Sequence, residues 1–441
     1  MVTANAWPSL TASHRRRLHG PACQGLWRIA ESGVFMADNG HRVWAEIDLA
    51  ALQRNLVRIG ERLSTSEGGE GAKSPSALPP ARVLVVLKAD AYGHGAVPVA
   101  RALEQEPLVW GFGVGDSNEA LELRAAGIAA PILVLGTIIA DEVPQVVSHD
   151  IRVCIHSEDR IHTLQAEAER QGRRTRVHLM VDTGMGRLGA QPRRAAALAR
   201  LIEASPWLIL EGVTTHPSPS RPGHPFITVQ RGRLDALLSE LSADGIAPPL
   251  VHFANTAAVL GGEGVELPLV RPGISLYGVL SHELSERGAD FEPVMALRTQ
   301  VVYLKDVPTQ TPVGYNGTHV TGGPARIATL PIGYNDGLSY RLSNCGRALV
   351  RGQLAPIVGA ISMDYTMLDV TAIQGVKVGD TVTLIGRDGE RKITIPDLAN
   401  TIGTIPYEVA CAVGKRVRRV YVRDGAKTSN QRPSEATGDS Q

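Results

Sequence analysis

Excess charge, long apolar segments and paired cysteines are all missing from this sequence. The formal net charge is +1 for 441 residues, so no surplus of one sign exists to attract nucleic acid or another polyanion. No uninterrupted apolar run approaches the roughly 20 residues of a membrane-spanning helix. The composition, with 43% hydrophobic residues, therefore predicts a soluble globular protein with neither a nucleic-acid nor a membrane partner.

The 4 cysteines are scattered without any metal-type C-x-x-C spacing, which predicts free thiols, no metal site and a reducing cytoplasm. Residues 1–41 contain no uninterrupted apolar core, because Glu31 and Gly33 break "LWRIAESGVFMADNG". Secretion is therefore not expected. We treat 1–41 as a leader that is either disordered or an incorrectly assigned start.

Eight continuous apolar runs alternate with helix-like stretches after residue 80. In chain order they are "RVLVVLK", "VWGFGVG", "PILVLG", "RVCI", "RVHLMVD", "LILEGVTTH", "LVHFAN" and "ELPLVRPGISLYG". Strands buried on both faces and joined by helices indicate a parallel sheet, and eight of them suffice to close a barrel. An open doubly wound sheet is the alternative, but it normally has a glycine-rich dinucleotide turn after its first strand, and "KADAYGHG" is not that turn. The predicted fold class is α/β, a (β/α)8 TIM-type barrel followed by a mostly β domain.

Segments rich in β-formers and punctuated by glycine and proline follow Gly278 and indicate a second domain. We predict a barrel domain over 42–288, with a flexible insertion at 64–80 that is rich in Ser, Gly and Pro. The β-rich domain is predicted over 289–424. The polar tail 425–441 is expected to be disordered.

Polar residues interrupt the apolar runs where the barrel strands end, on the face that carries active sites in such folds. They are Lys88, Arg187, His216, Thr256, Arg271 and Gly273. A lysine partly withdrawn from water loses its proton more easily, and the free amine can form a Schiff base with the aldehyde of pyridoxal phosphate. The loops after the last two strands would hold the phosphate through Thr256 and the N–H groups of Gly273 and Ile274.

Nine sequence blocks in register resemble the alanine racemases, which are fold-type III pyridoxal phosphate enzymes. Spread over residues 42–422, they are "VLKADAYGHG", "HLMVDTGMGRLG", "EGVTTH", "HFANTAA", "VRPGISLYG", "PVGYNGT", "LPIGYNDG", "PIVGAISMD" and "PYEV". The resemblance implies that Lys88 binds the cofactor covalently and that Arg271, supported by His252, donates to its pyridine nitrogen. It also implies that His216 lies against the cofactor ring. The phosphate contacts that it implies are Tyr92, Thr256, Gly273, Ile274 and Tyr407.

The same resemblance implies a racemisation of alanine, with one acid–base group on each face of the substrate carbon. Lys88 would serve one face and Tyr315 of "VGYNG" the other, and the D-alanine formed would supply peptidoglycan. Because Tyr315 belongs to the second domain, the family's head-to-tail homodimer is implied, in which the partner chain supplies this residue. The substrate contacts implied are Arg187, Met363 and Tyr334. An arginine leaves the pyridine nitrogen unprotonated, which disfavours side reactions and argues against the related decarboxylases.

Two segments depart from the family. Met180 in "HLMVDTGMGR" stands where the family commonly has a lysine whose carbamate braces the arginine equivalent to Arg187, and "THPSPSRPG" after His216 is also unusual. A racemase of broader range, or one for another amino acid such as serine, is therefore an alternative. A fold-type III decarboxylase and a non-catalytic pyridoxal phosphate carrier are weaker ones. Residues that we expect to be structural are His94, Asp182 and Tyr277.

Overall fold

The computed structural model describes residues 41–65 and 81–423. The predicted leader up to residue 40, nearly all of the predicted insertion and the tail after 423 lie outside the described residues. The first two residues of the predicted insertion, 64 and 65, belong to the end of a helix. None of the helices in the described ranges combines the length and the apolar character that a membrane span requires.

The strands, in chain order, are β1 (Val43–Asp48), β2 (Arg82–Val86), β3 (Val109–Val114), β4 (Ile132–Val134), β5 (Arg152–Ile155), β6 (Thr175–Met180), β7 (Leu208–Thr214), β8 (Leu250–Asn255), β9 (Leu269–Arg271), β10 (Met295–Gln300), β11 (Tyr303–Val307), β12 (Pro312–Val313), β13 (His319–Val320), β14 (Ala325–Leu330), β15 (Arg347–Val350), β16 (Gln353–Pro356), β17 (Thr366–Asp369), β18 (Thr381–Asp388), β19 (Arg391–Ile393) and β20 (Arg418–Val422). The helices are α1 (Leu49–Thr65), α2 (Lys88–Tyr92), α3 (Ala96–Leu103), α4 (Ser117–Ala125), α5 (Val143–Ser148), α6 (Glu158–Gln171), α7 (Pro192–Glu203), α8 (Pro225–Ala243), α9 (Thr256–Gly261), α10 (His282–Ser285), α11 (Ile395–Ile402) and α12 (Pro406–Cys411).

Strands β2 to β9 close into a parallel barrel, in which each strand pairs with the next and β9 pairs with β2. The residues of β4 and β5 are all buried, as expected for strands covered on both faces. These eight strands coincide with the eight apolar runs of the sequence. The predicted fold class, a TIM-type barrel followed by a mostly β domain, is confirmed.

The barrel interior contains an apolar cluster contributed by five different strands. Leu84, Leu133, Cys154, Met180 and Leu269 pack together there. Residues from strands on different sides of a closed barrel can meet only in its interior, so this cluster fills the core.

Strand β1 belongs to the C-terminal sheet, whose order is β16-β15-β18-β10-β1-β20. It runs antiparallel to β10 and parallel to β20. The sequence-based barrel domain of 42–288 wrongly included this strand; the other predicted domain bounds stay predictions. The physical reason is visible in its alternating burial, because Val43, Ala45 and Ile47 are buried and their neighbours are not, as in a sheet with one covered face. A three-stranded sheet, β11-β14-β17, and the pair β12-β13 complete this region.

Candidate active site

The carboxyl ends of the barrel strands carry the predicted polar residues. Lys88 follows β2, His216 follows β7, Thr256 follows β8 and Arg271 is the last residue of β9. Arg187 lies in the loop between β6 and α7. Because the strands are parallel, their carboxyl ends share one mouth of the barrel, which is where active sites of this fold occur.

A left-handed turn follows Lys88 directly. Ala89, Asp90, Ala91 and Tyr92 have φ angles of 55°, 54°, 54° and 52°. For residues other than glycine this conformation costs roughly 1–2 kcal/mol each. Such a turn persists only where neighbouring groups hold it in place, and strain of this kind is characteristic of functional sites.

Two carboxylates, one from α4 and one from the turn itself, accept backbone hydrogen bonds that hold the turn. Glu119 of α4 accepts a hydrogen bond from the N–H of Ala89 at 2.6 Å and another from the N–H of Gly115 at 2.7 Å. Asp90 accepts from the N–H of Ala96 at 2.7 Å. Glu119 thereby joins the ends of β2 and β3, and it fixes the backbone next to Lys88.

Strand β20 holds the other side of the same segment. Arg419 donates to the carbonyl oxygen of Gly93 from Nε at 3.1 Å and from Nη2 at 3.0 Å. The Tyr421 hydroxyl donates to the carbonyl oxygen of His94 at 3.2 Å. A Cβ at Gly95 would overlap the Tyr421 hydroxyl, so the close approach of this strand requires glycine there. The C-terminal strand therefore helps to position the turn after Lys88.

The Lys88 amine is accessible to solvent but easier to deprotonate than an ordinary lysine. Surrounding protein displaces much of its hydration and lowers its pKa from the usual value, and the Arg187 cation lowers it further. Cys411 and Glu119 act in the opposite direction without reversing the shift. A larger fraction of free amine at neutral pH is what a lysine nucleophile requires.

Arg271 is a buried cation surrounded by neutral acceptors. Its Nη1 donates to Thr214 Oγ1 at 3.1 Å and to His252 Nδ1 at 3.0 Å, and its Nη2 donates to the carbonyl oxygens of Thr215 at 2.8 Å and Phe253 at 2.9 Å. Burial lowers the pKa of Arg271 to about 10, so the guanidinium stays protonated at neutral pH. Within the described residues no carboxylate contacts it and its Nε has no acceptor. One N–H group therefore remains for a ligand.

Two neutral histidines flank Arg271. His216 Nδ1 lies 3.4 Å from Arg271 Nη2. Burial, together with the cations of Arg271, Arg187 and Lys88, lowers the pKa of His216 to about 3. Burial and Arg271 also hold the pKa of His252 well below its usual value. Both imidazoles are therefore uncharged near neutral pH, and the positive charge at this wall of the mouth resides on the guanidinium.

The predicted phosphate contacts lie together at the ends of β8 and β9. Thr256 Oγ1 accepts from the N–H of Gly273 at 3.0 Å. A Cβ at Gly273 would lie 2.5 Å from the Tyr92 hydroxyl oxygen, so only glycine allows that hydroxyl to approach the loop. The Tyr92 ring in turn packs against Tyr407 with a centroid distance of 6.1 Å. Ile274 begins a one-turn 3₁₀ helix, and such starts leave backbone N–H groups without internal acceptors.

The residues expected to be structural make internal contacts. The fully buried Tyr277 donates from its hydroxyl to the carbonyl oxygen of Val86 at 3.0 Å. His94 Nδ1 lies 2.9 Å from the carbonyl oxygen of Ala91, and burial lowers the pKa of His94 to about 4. Asp182 organises the loop that carries Arg187 by accepting backbone hydrogen bonds from Gly184, Met185 and Gly186.

Arg187 is exposed, and in the described part of the chain it forms no hydrogen bond or ion pair. Met180, at the end of β6, is 8% exposed and packs in the apolar interior cluster with Cys154 and, at its edge, Leu188. No polar group of this cluster can brace the guanidinium. Met180 therefore offers no anion to Arg187.

The remaining predicted residues lie in the second domain. Tyr315, Tyr334 and Met363 are 71%, 46% and 52% exposed. The N–H of Asn335 donates to the carbonyl oxygen of Met363 at 3.2 Å, which places the segments of Tyr334 and Met363 side by side. No contact among the described residues joins any of the three to Lys88. A single chain therefore gathers the barrel-mouth residues but not these three.

Sequence reasoning missed three residues that support the site, namely Glu119, Thr214 and Arg419. The first lies in the opening turn of α4, where the helix N-cap is Asp116, so in the sequence it looks like an ordinary acidic residue at a helix start. Thr214 lies within strand β7, and no local pattern distinguishes it from other strand residues. The roles of these three residues depend on contacts between distant elements, which a sequence pattern does not report.

The donors at the barrel mouth fit pyridoxal phosphate. Lys88 has an amine with a lowered pKa that could react with the aldehyde. Hydroxyl groups and the start of the 3₁₀ turn could supply neutral contacts for the phosphate. Arg271 has a cationic N–H, without a competing carboxylate in the described part of the chain, that could donate to a ring nitrogen. The missing side chain at Gly273 lets the Tyr92 hydroxyl approach this loop, where it could contact a phosphate held by the backbone.

Family models and sequence relatives match most of the chain. The alanine racemase N-terminal domain model matches residues 47–281, and the alanine racemase C-terminal domain model matches residues 294–421. An alanine racemase of Methanococcus maripaludis is 38% identical over 385 residues, which cover 87% of this chain and 99% of that protein.

Solved structures of alanine racemases share the fold. The enzyme from D-cycloserine-producing Streptomyces lavendulae superposes with a TM-score of 0.77 at 32% identity, covering 87% of this chain and 97% of that one. The enzyme from Bartonella henselae, described as having covalently bound pyridoxal phosphate, superposes with a TM-score of 0.74 at 27% identity, covering 86% of this chain and 99% of that one.

Proposed function

Because this chain belongs to the alanine racemase family, we propose that it is an isomerase that interconverts L- and D-alanine with pyridoxal phosphate as its cofactor. The observation that carries the proposal is the pair of groups at the barrel mouth: Lys88, with its lowered pKa, and Arg271, with an Nε that has no acceptor in the described residues. We place the reaction in the cytoplasm, where its product would supply peptidoglycan synthesis.

Residues of the barrel, together with Tyr407 from α12 of the second domain, would hold the cofactor. Lys88 would bind its aldehyde, Arg271 would donate to its ring nitrogen, and His216 would lie against its ring. Its phosphate would be bound by Tyr92, Thr256, Gly273, Ile274 and Tyr407. When bound, pyridoxal phosphate withdraws electrons from the Cα of an attached amino acid and so acidifies the proton on that carbon. Arg271 would stay protonated and leave the ring nitrogen unprotonated, which would moderate this withdrawal and favour simple proton transfer over other reactions.

Racemisation requires a proton to leave one face of the substrate Cα and another to arrive on the opposite face. We propose that the Lys88 amine transfers the proton on one face. The Tyr315 phenol of the partner subunit would transfer the proton on the other. An ordinary phenol has a pKa of about 10, so it needs a nearby cation to act as a base. The exposed guanidinium of Arg187 would supply such a cation at the mouth.

The substrate carboxylate would be bound by Arg187 and by the second domain of the partner. Guanidinium binds carboxylate in a two-pronged geometry, and the exposed position of Arg187 leaves it free to do so. The backbone N–H of Met363 and the hydroxyl of Tyr334 would complete the contact. Both belong to the exposed surface that carries Tyr315.

This division of the site is the reason that we propose a head-to-tail homodimer. Tyr315, Tyr334 and Met363 are exposed in one chain, and no contact among the described residues links them to Lys88. In a symmetric dimer the second domain of each chain can cover the barrel mouth of the other. Each dimer would then contain two composite sites.

The proposal is tested with purified protein reconstituted with pyridoxal phosphate. We expect a visible absorbance band of bound cofactor, conversion of L-alanine to a mixture of enantiomers on chiral chromatography, and uptake of deuterium at Cα in D2O. Lys88→Ala should lose all three, whereas Lys377→Ala, which removes an exposed lysine of the second domain, should keep them. A cofactor-loaded protein that neither racemises alanine nor exchanges its α-proton would refute the proposal.

A racemase of broader range is the second candidate, and the environment of Met180 favours it. Methionine has no amine on which a carbamate could form, and Met180 packs among apolar side chains, so nothing at this position would hold Arg187 in one orientation. Amino acids of different size would then be discriminated less strictly. Measuring kcat/KM for L-alanine and L-serine separates the two. A strong preference for alanine would dismiss the broader range.

A further inference from the structure

A chain of buried side chains connects Arg271 at the mouth of the barrel with its opposite end. Arg271 Nη1 bonds His252 Nδ1 at 3.0 Å, and His252 Nε2 lies 2.8 Å from His178 Nδ1. His178 Nε2 then lies 3.1 Å from Glu211 Oε2. The two histidines are fully buried. The chain therefore crosses the barrel core, from β9 through β8 and β6 to β7, without passing through water.

The direction of every hydrogen bond in this chain is determined by its two ends. Arginine can only donate, so His252 Nδ1 must accept, and a neutral His252 therefore carries its proton on Nε2. That proton is donated to His178 Nδ1, so the proton of a neutral His178 is on Nε2 and is donated to Glu211. Burial lowers the pKa of both imidazoles, in agreement with neutral rings.

The far end of the chain is a carboxylate held between cations. Arg152, at the start of β5, donates from Nε to Glu211 Oε2 at 2.9 Å, and Arg176 Nε lies 3.4 Å from Oε1. Burial opposes ionisation of Glu211, but the hydrogen bond from His178 and the charge of Arg152 outweigh it and lower the pKa of the carboxyl from its usual value. Glu211 is therefore an anion, the one state in which it can only accept.

The backbone leaves space for this arrangement. A Cβ at residue 212 would lie 2.5 Å from His178 Nδ1, so the glycine beside Glu211 is what admits the imidazole. The pairing of β6 with β7 shifts its register between Val177 and His178. A strand irregularity and a glycine at the same level of the barrel are features that re-aim a side chain.

We propose that Glu211 is a positioning residue for Arg271: by accepting from His178 it fixes the tautomers of both buried histidines, so that His252 presents a lone pair, and not a second N–H, to the guanidinium. Without the acceptor at residue 211, the proton of each imidazole can move from Nε2 to Nδ1. Arg271 would then face a donor, lose one hydrogen bond and gain freedom to move at the mouth. The expected effect on cofactor binding rests on the proposed function, whereas the assignment of the histidine tautomers does not.

The test compares Glu211→Leu, which removes the acceptor, with Glu211→Gln, which keeps an oxygen for His178. Asp150→Asn is the matched control, because Asp150 pairs with Arg152 and Arg176 at the same end of the barrel but does not contact His178. Histidine tautomers are read by ¹⁵N NMR of the full chain, with and without pyridoxal phosphate. Cofactor affinity and racemisation are measured in parallel.

We expect the wild type, Glu211→Gln and Asp150→Asn to show His178 and His252 as single Nε2–H tautomers. In Glu211→Leu the pattern should become mixed, and cofactor affinity should fall roughly tenfold, the low end of what losing an outer hydrogen-bond partner costs in metal sites. An Nδ1–H proton on His252 in the wild type would overturn the proposal, as would an unchanged pattern in a folded Glu211→Leu protein. If Glu211→Leu does not fold, the histidine tautomers of the wild type alone decide whether the proposal stands. A protein that binds no cofactor leaves this measurement intact, so the two proposals fail separately.

Discussion

From the strain in the turn after Lys88 we derive a quantitative prediction about Glu119. Four consecutive left-handed residues cost roughly 1–2 kcal/mol each, and this cost must be offset by the groups that hold the turn. Glu119 accepts from two backbone N–H groups at 2.6 and 2.7 Å, and both of its oxygens are used. The change Glu119→Gln keeps the shape of the side chain but offers only one oxygen. One of the two N–H groups must then face an amide NH2.

A hydrogen bond to a charged group contributes about 1.5–3 kcal/mol, and since Glu119 is only partly buried we expect a loss near the lower end, about 1.5 kcal/mol. Spread over a chain of this size, that loss lowers the melting temperature by about 2 °C. Ala89→Gly in the same background should restore about 0.5–1 kcal/mol, because glycine removes the left-handed penalty at the cost of backbone entropy. The affinity for pyridoxal phosphate should fall as well, since the turn positions Lys88.

The assay is thermal unfolding of the cofactor-free protein, followed by titration with pyridoxal phosphate. Glu122→Gln is the matched control, because Glu122 is exposed on the same helix and forms no hydrogen bond or ion pair in the described ranges. The reasoning fails if Glu119→Gln melts with the wild type and binds the cofactor equally well. It also fails if Ala89→Gly destabilises the Glu119→Gln protein further, because the turn would then not be strained.

Three further predictions concern the site. Met180→Lys should destabilise the protein by several kcal/mol in carbon-dioxide-free buffer, since it buries an unpaired ammonium. Bicarbonate should restore the stability and lower the KM for alanine. No change in rate or substrate range would discard a role for Met180. Lys88→Ala and Tyr315→Phe should each be inactive. When the two variant chains are co-expressed, half of the dimers contain one chain of each kind and one complete site of two, so about a quarter of the wild-type activity should return. No recovery would contradict composite sites. Gly273→Ala should weaken cofactor binding, since its Cβ would lie 2.5 Å from a tyrosine hydroxyl, and unchanged affinity on titration would remove that hydroxyl from the phosphate site.

The barrel could be predicted from the sequence because its strands are continuous apolar runs. Strands covered on both faces need apolar residues at every position, and eight such runs leave few other folds. Strand β1 was misassigned because "RVWAEIDL" is near in sequence to the barrel but alternates in burial. Its partners, β10 and β20, are far along the chain, and pairing between distant strands has no local signature in the sequence.

The residues of the candidate site likewise form two groups, those whose positions the sequence predicts and those whose positions it does not. Lys88, Thr256 and Arg271 interrupt apolar strands, so their positions at the barrel mouth follow from the strand pattern and the fold rule. Glu119 and Glu211 act through contacts between elements, and each resembles an ordinary charged residue in its own segment. The motif comparison identified residues that would contact the cofactor, whereas residues that position those groups became visible only when the barrel closed.

The long connection between Arg271 and Glu211 has a physical rationale that a direct ion pair would lack. A carboxylate beside Arg271 would compete with a ligand for its guanidinium N–H groups, and removing either partner of such a buried pair would leave an unpaired charge. Two neutral imidazoles between cation and anion give the cation an acceptor while the carboxylate stays at the opposite end of the barrel. The Nε of Arg271 is then left without a protein acceptor in the described residues. An arrangement of this kind keeps the cation fixed and protonated, and still able to donate, which is the combination that a ring nitrogen at the barrel mouth requires.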